Sequence, residues 1–255
     1  MKRTIFLTDL DDTLFCSMRK VTGPVGPAVT TAKNGHHSHM SPAQEGLWSL
    51  MRRGDEVIPV TARSSDAFAR VHLDFGSKRA VLANGAVLLD ERGLPDPDWL
   101  AYSSAIGRGA ERLMEEMRAT IGEEYGDAVR SWIVREYDAP VYLCAKMNAE
   151  DPDLIRTGMA EIGALLTERF DLGAFQPHVN GNNLSLTPEG ISKQAACAHL
   201  IGRLGDRSDL ILIGVGDSLT DLPFMRGCDF MMTPSGSQIA ESALLRSVRE
   251  GAAHA

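Results

Sequence analysis

Ile5-Phe6-Leu7-Thr8-Asp9-Leu10-Asp11-Asp12-Thr13-Leu14 runs an apolar stretch straight into three carboxylates within four residues. The apolar part reads as a buried strand, and a buried strand should not end by crowding like charges. Two carboxylates about 4 Å apart repel by roughly 4 kcal/mol at an effective dielectric of 20. A bound cation, a proton held at raised pKa, or both must compensate. Those are catalytic devices, so the stretch predicts an active-site strand.

The whole chain sets the bounds. Its 255 residues hold one large domain, or a core with a smaller one, and 44% hydrophobic content is ample for a proper core. A net charge of −8 and an isoelectric point near 5.4 argue against a nucleic-acid backbone or an anionic membrane as main partner. Phosphate binding in so acidic a chain needs local cations or a metal. Cys16, Cys144, Cys197 and Cys228 are widely spaced with no CxxC pair, which predicts reduced thiols in a cytosolic protein. The apolar run before Asp9 is too short for a signal peptide or anchor, and no other segment reaches 18 apolar residues. A soluble, cytoplasmic protein is expected.

Outward from the opening strand, short apolar runs alternate with helical periodicity. Strands are predicted over 4–9, 56–61 and 80–83, with helices over 42–53 and 64–71. Ser41 is the expected N-cap of the first helix, and Gly54 lies just past its end. The same rhythm returns late, with helices at 192–204 and 219–226, strands at 209–214 and 230–232, and a final helix to about Val248. Such alternation implies a parallel sheet covered on both faces.

Between about 86 and 187 the pattern changes. A long helix is predicted over 99–121, then strands over 132–137 and 141–147 flanking Asp138-Ala139-Pro140. A helix over 153–170 follows, then runs 174–179 and 184–187 around the turn Asn180-Gly181-Asn182-Asn183. Hairpins mean antiparallel pairing, so a separate α+β subdomain is inserted into the parallel one. The expected division is 1–85 with 188–255 for the core and 86–187 for the inserted cap.

In a parallel sheet the working crevice lies beyond the carboxyl ends of the strands. Asp9 and Asp11 follow the first strand, Thr61 ends the second, Lys193 lies at a helix start, and Asp217 and Asp221 follow the run DLILIG. Acids, a hydroxyl and an amine therefore converge on one rim.

This constellation resembles the haloacid-dehalogenase-like superfamily of phosphotransferases. Its DxDxT motif matches Asp9-Leu10-Asp11-Asp12-Thr13, and its strand-ending Thr or Ser matches Val57-Ile58-Pro59-Val60-Thr61. Its lysine matches Lys193 in Gly190-Ile191-Ser192-Lys193, and its GDxxxD matches Gly216-Asp217-Ser218-Leu219-Thr220-Asp221. The four motifs occur in the family's order, and with the alternating elements they cover essentially the whole chain. The insert between Asn84 and Lys193, with the strings Leu82-Ala83-Asn84-Gly85-Ala86 and Thr187-Pro188-Glu189-Gly190-Ile191-Ser192-Lys193, is similar to the subfamily called IIB. That group includes Cof-type sugar phosphatases, sucrose-phosphate phosphatase, mannosyl-3-phosphoglycerate phosphatase and phosphomannomutase.

The resemblance implies an α/β, Rossmannoid parallel-sheet core with an inserted α+β cap. It implies that Asp9 is the nucleophile, taking the phosphoryl group as an aspartyl phosphate. Asp11 then protonates the leaving alkoxide and activates water. Mg²⁺ is held by the Asp9 carboxylate, the Asp11 carbonyl and Asp217, with Asp221 binding the metal directly, binding it through water, or orienting Lys193. Lys193, Thr61 and the N–H of Ala62 bind the phosphate oxygens. Arg63, Asn84, and the cap residues His178 and Asn180 are candidates for the rest of the substrate.

Each group also has a plainer reading. The first acid cluster fits a helix-capping turn, and Asp217 fits a helix N-terminus through the dipole as well as a metal ligand. Lys193 by itself is an ordinary solvated helix residue, Arg63 fits a surface ion pair, and the asparagines of 180–183 fit a turn. Asp12 is expected only to shape its turn. Residues 15–41 depart from the family's short connection. They read as an enlarged flap beside the active site or as a tolerated surface loop. His36, His37 and His39 within it lack the partner pattern of a metal site. The sequence thus predicts a Mg²⁺-dependent phosphatase of a small phosphorylated metabolite, a sugar phosphate first, with no nucleic-acid or membrane partner. The alternatives are a phosphomutase of the same fold or a non-catalytic binding module.

Overall fold

The computed structural model describes residues 2–242 other than 22, 24, 34 and 181. The expected last helix reaches into 243–248, outside the described residues. Along the chain come β1 (Arg3–Thr8), the two-residue strands β2 (Cys16–Ser17) and β3 (Ser38–His39), α1 (Pro42–Met51), β4 (Glu56–Pro59), α2 (Ser65–Phe68), β5 (Ala80–Leu82) and β6 (Val87–Leu89). The insert supplies α3 (Pro97–Tyr125), β7 (Val129–Glu136), β8 (Ala139–Met147), α4 (Pro152–Arg169), β9 (Phe175–Asn180) and β10 (Asn183–Pro188). The chain closes with α5 (Lys193–Ile201), β11 (Leu210–Val215), α6 (Leu222–Met225) and β12 (Phe230–Met232).

Two compact units result, one holding the chain up to Asp96 and from Lys193 onward, the other Pro97–Ser192. The crossings fall later than the expected 85/86 and 187/188. Residues 86–96 stay with the first unit because β6 pairs antiparallel with β5, Leu82 opposite Val87. Pro188 pairs with Phe175 inside the second unit.

The first unit is built on a parallel sheet in the order β12-β11-β1-β4. Ile5 and Leu7 of the central β1 are wholly buried, as a strand covered on both faces requires. The register sets Thr8 beside Val215 and Pro59, so three strands end together. The predicted third strand is not a ladder strand of this sheet; the bridge Val60–Val81 and the bonds from Ala83 N–H to Arg63 O and Asn84 N–H to Thr61 O tie the β5–β6 hairpin to the segment that follows β4.

Helix α1 begins at a reciprocal capping box between Ser41 and Gln44. The segment 15–41 is anchored at both ends and in the middle. Cys16 pairs with His39, Thr31 N–H donates to Arg70 O at 3.0 Å, and His72 N–H donates to Val29 O at 2.8 Å. The helix expected over 64–71 stops at Phe68, since residues 70–72 are used in that pairing.

In the second unit the antiparallel sheet runs β7-β8-β10-β9. The β7–β8 hairpin turns at Tyr137 and Asp138, both at positive φ (48° and 62°), one residue earlier than the expected Asp-Ala-Pro turn. Met114, Met117 and Ile121 of α3 and Met159, Ile162 and Leu166 of α4 pack on Val129, Leu143, Ala145, Leu184 and Leu186, all from one sheet face. No helix among the described residues is long and apolar enough to cross a membrane.

Candidate active site

The site forms where β1 and β11 end. Asp9 N–H donates to Val215 O at 2.8 Å, which continues the ladder one residue and brings the Asp9 side chain to the rim. Asp12 at φ 63° turns the chain back, and its carboxylate takes Lys20 Nζ at 2.7 Å. The turn brings the Thr13 hydroxyl to 3.3 Å from Asp9 Oδ2 and 3.0 Å from Asp217 Oδ1. One hydroxyl proton faces two carboxylate acceptors.

Lys193, the first residue of α5, sends Nζ into the cluster, 2.7 Å from Asp9 Oδ1 and 2.7 Å from Asp221 Oδ1. Asp221 is fixed on its other oxygen by Ser218 N at 3.1 Å and Oγ at 2.7 Å. Both its oxygens are therefore committed to protein donors. Gly216 makes this possible: a Cβ there would stand 2.6 Å from the Asp221 Cβ.

The charge balance is uneven. Asp9, Asp217 and Asp221 offer oxygens within 4.8 Å of one another, against the one ammonium of Lys193. Burial pushes the Asp9 carboxyl well up, against the pull of Lys193 and with the repulsion of Asp221. Burial likewise raises Asp217 to about 6, offset by the Thr13 bond and reinforced by Asp221 and Asp12. Burial alone would lower Lys193, but the Asp9 and Asp221 carboxylates outweigh it and raise its pKa, so the ammonium stays charged. With all three carboxylates ionised, the cluster would carry two more negative charges than the Lys193 ammonium offsets. An all-oxygen donor set with that deficit fits a hard divalent cation such as Mg²⁺.

Thr61, buried past the end of β4, accepts the Arg63 N–H on Oγ1 at 3.1 Å, so its hydroxyl proton points elsewhere. The Ala62 N–H has no protein acceptor among the described residues. Asn84 sits at φ 57° with its N–H 3.2 Å from Thr61 O, which places it beside the same rim. Arg63 grips Asp11 through two bonds, one to each carboxylate oxygen, and Asp11 is not among the acids that offer oxygens to the cluster.

Asp9, Asp11, Thr61, Ala62, Arg63, Asn84, Lys193, Asp217 and Asp221 thus all lie on the first unit. His178 and Asn180 belong to β9 of the other unit, and Asn180 is described by its backbone alone. The loop histidines do not gather: His37 Nδ1 accepts from Ala32 N, and His39 Nδ1 lies 2.9 Å from Gly26 O. Sequence reasoning missed Thr13 and Ser218 as parts of the site. Both stand inside motifs already read for their acids, and that position was the available signal.

Solved structures share this architecture. The C-terminal domain of a trehalose-6-phosphate phosphatase from C. albicans matches with a TM-score of 0.57 at 14% identity, over 88% of this chain and 73% of that one. A truncated IMP-nucleotidase from Plasmodium falciparum, with IMP bound, matches at 0.56 and 13%, over 98% and 68%. A haloacid dehalogenase-like hydrolase from Bacteroides thetaiotaomicron matches at 0.50 and 13%, over 94% and 98%.

The fold is haloacid-dehalogenase-like. At these identities the likeness speaks for the fold alone. No protein-family model and no curated protein matches the sequence. The α/β core with its parallel sheet is as the motifs predicted.

Proposed function

We propose that the chain is a Mg²⁺-dependent phosphatase that hydrolyses a small phosphorylated metabolite through an aspartyl phosphate on Asp9. The observation that carries this is the setting of Asp9. Lys193 holds one of its oxygens at 2.7 Å, Thr13 lies 3.3 Å from the other, and Asp217 lies across the Thr13 hydroxyl. A carboxylate oriented this tightly at a strand end is positioned to attack phosphorus.

Asp9, the Asp11 carbonyl and Asp217 would hold Mg²⁺, which when bound neutralises charge on the phosphoryl oxygens. Asp221 holds Lys193 in place. Lys193, the Thr61 hydroxyl and the Ala62 N–H receive the remaining phosphoryl oxygens. Asp9 attacks phosphorus and the ester bond breaks; Asp11, which takes up a proton from solvent when one of its oxygens turns from the Arg63 fork, gives that proton to the leaving alkoxide. Asp11 then takes a proton from the water that cleaves the acyl phosphate.

A sugar phosphate is the substrate class we favour, in a cytoplasmic setting. The C. albicans relative in fold acts on trehalose 6-phosphate by its name, and the chain's family-like strings point the same way. Purified protein assayed against a panel of phosphorylated metabolites should release inorganic phosphate with Mg²⁺ and lose that activity with EDTA or Asp9→Asn. Isomerisation without phosphate release would point to a mutase instead. No turnover of any ester would leave a binding module.

A further inference from the structure

Gln44 stands at the third position of α1 and uses both ends of its amide. Oε1 accepts the Ser41 N–H at 2.9 Å and the Ser41 hydroxyl at 3.1 Å, while Ser41 Oγ accepts the Gln44 N–H at 3.3 Å. That is the reciprocal box that starts the helix. The other end of the amide, Nε2, donates to the Thr13 carbonyl at 3.3 Å, across 31 positions of the chain. The amide fits one way round. The Ser41 N–H needs an acceptor and the Thr13 carbonyl needs a donor, so its oxygen and nitrogen are assigned by their partners.

The box by itself does not ask for an amide. Glutamate serves at this position as well as glutamine does, and an acid in the first turn gains from the helix dipole. What the amide adds is an N–H for the Thr13 carbonyl. Among the described residues no backbone N–H donates to that carbonyl; the Leu14 and Phe15 N–H groups both turn back to Leu10 O, at 2.8 and 3.2 Å. Thr13 is wholly buried, and a buried carbonyl is costly to leave without a donor.

The position of Thr13 matters because its hydroxyl stands between Asp9 Oδ2 and Asp217 Oδ1. A shift of its backbone moves the one proton that faces both acids. The Gln44 bond ties this turn to a helix start outside it. It also closes the foot of segment 15–41, which leaves the turn and returns to α1 through the Cys16–His39 pairing.

We infer that Gln44 is a positioning residue of the Asp9–Thr13 turn. Its amide fixes the Thr13 carbonyl, and Thr13 in turn keeps the Asp9 and Asp217 carboxylates in their mutual geometry. Removing a group that orients a reacting or metal-holding side chain from behind typically costs about 10–100-fold. The catalytic consequence rests on the phosphatase reading; the contact itself does not.

Two substitutions in the full chain separate helix start from positioning. Ser41→Ala removes the cap hydroxyl and leaves the backbone N–H that orients the Gln44 amide. Gln44→Glu keeps the box and removes the donor to Thr13. Thermal unfolding, kcat and KM on p-nitrophenyl phosphate with Mg²⁺, and amide exchange at Leu14 and Phe15 are read for both. Ser41→Ala should melt lower than the parent, with kcat and the exchange of those two amides unchanged. Gln44→Glu should melt no lower than Ser41→Ala, yet lose about 10–100-fold in kcat. Its KM should hardly move, because Thr61, the Ala62 N–H and Lys193 are untouched. Its Leu14 and Phe15 amides should exchange faster than the parent's.

A Gln44 that only starts the helix predicts the reverse order, with Ser41→Ala the more impaired and Gln44→Glu like the parent. That order, or parent-like exchange at Leu14 and Phe15 in Gln44→Glu, overturns the inference. A wild-type chain without any turnover overturns the phosphatase reading, and the amide exchange then decides the contact.

Discussion

Arg63 closes on Asp11 with two bonds, Nε to Oδ2 at 2.7 Å and Nη2 to Oδ1 at 2.6 Å, so one guanidinium holds both oxygens of the carboxylate. The same group lies 5.1 Å from the centre of the buried Phe15 ring, which fixes its plane. In the proposed reaction Asp11 moves protons, so Arg63 acts through Asp11 as a positioning residue. Loss of general acid help matters most for poor leaving groups, at about 10²–10⁴-fold. Asp11→Asn should therefore cost far more on alkyl phosphates than on p-nitrophenyl phosphate. Arg63→Ala should show the same leaving-group pattern to a smaller extent, and Arg63→Lys should not restore the fork. Equal losses on both substrate types would detach Arg63 from Asp11.

Lys193 is a buried ammonium between two carboxylates. Removing one partner of such a set leaves charge uncompensated in the interior and costs about 3–5 kcal/mol. Lys193→Met should lower the denaturation midpoint accordingly and abolish turnover. Adding Asp221→Asn should recover part of the stability and none of the activity. Independent, additive losses would argue against the contact.

The acidity of Asp217 sets a pH window. Its carboxyl is raised by burial from 3.8 to about 6, so the folded chain holds that proton to higher pH than the unfolded chain does. The stability gained from the protonated form is complete below 3.8 and is lost as pH rises through about 6. Asp9, raised in the same direction, adds to this. Metal-free protein should melt progressively lower across that window, and Asp217→Asn should flatten the curve. Mg²⁺ should raise the midpoint above about pH 6 and do little well below it, because its ligands must be deprotonated. A metal-free midpoint that rises across the window would contradict the assignment.

Gly216 gives a steric prediction. A methyl there meets the Asp221 Cβ at 2.6 Å and its Oδ2 at 3.0 Å. Gly216→Ala should cost about 1–3 kcal/mol by overpacking and reduce activity, because Asp221 can no longer hold Lys193. Chemical denaturation and p-nitrophenyl phosphate turnover together check it.

Much of this site was legible because its residues sit where regular elements end. Asp9, Thr61 and Asp217 follow apolar runs, and a parallel sheet must bring such ends together. Lys193 needed the neighbouring string to be singled out, since a lone lysine at a helix start carries no signal. The partners were less legible. That Thr13 would face two carboxylates depends on a left-handed Asp12, and that Arg63 would hold Asp11 depends on a contact across 52 positions. The segment 15–41 was read as a flap or a loose loop. Its two-residue strands carry no periodicity, and its seat against 70–72 shortened a helix that local pattern alone favoured. Strand identity was readable at 80–82, but its partner was not. The hairpin with 87–89 follows from the turn at Ala83 and Asn84, both at positive φ.

The central claim is covalent attack by Asp9, and trapping tests it most directly. Protein mixed with substrate and Mg²⁺, quenched in acid and reduced with borohydride, should have the side chain at position 9 converted to its alcohol, as peptide mass spectrometry reads. The conversion should be absent without substrate. Steady phosphate release with Asp9 unmodified, or with the reduced position elsewhere in the chain, would contradict the account.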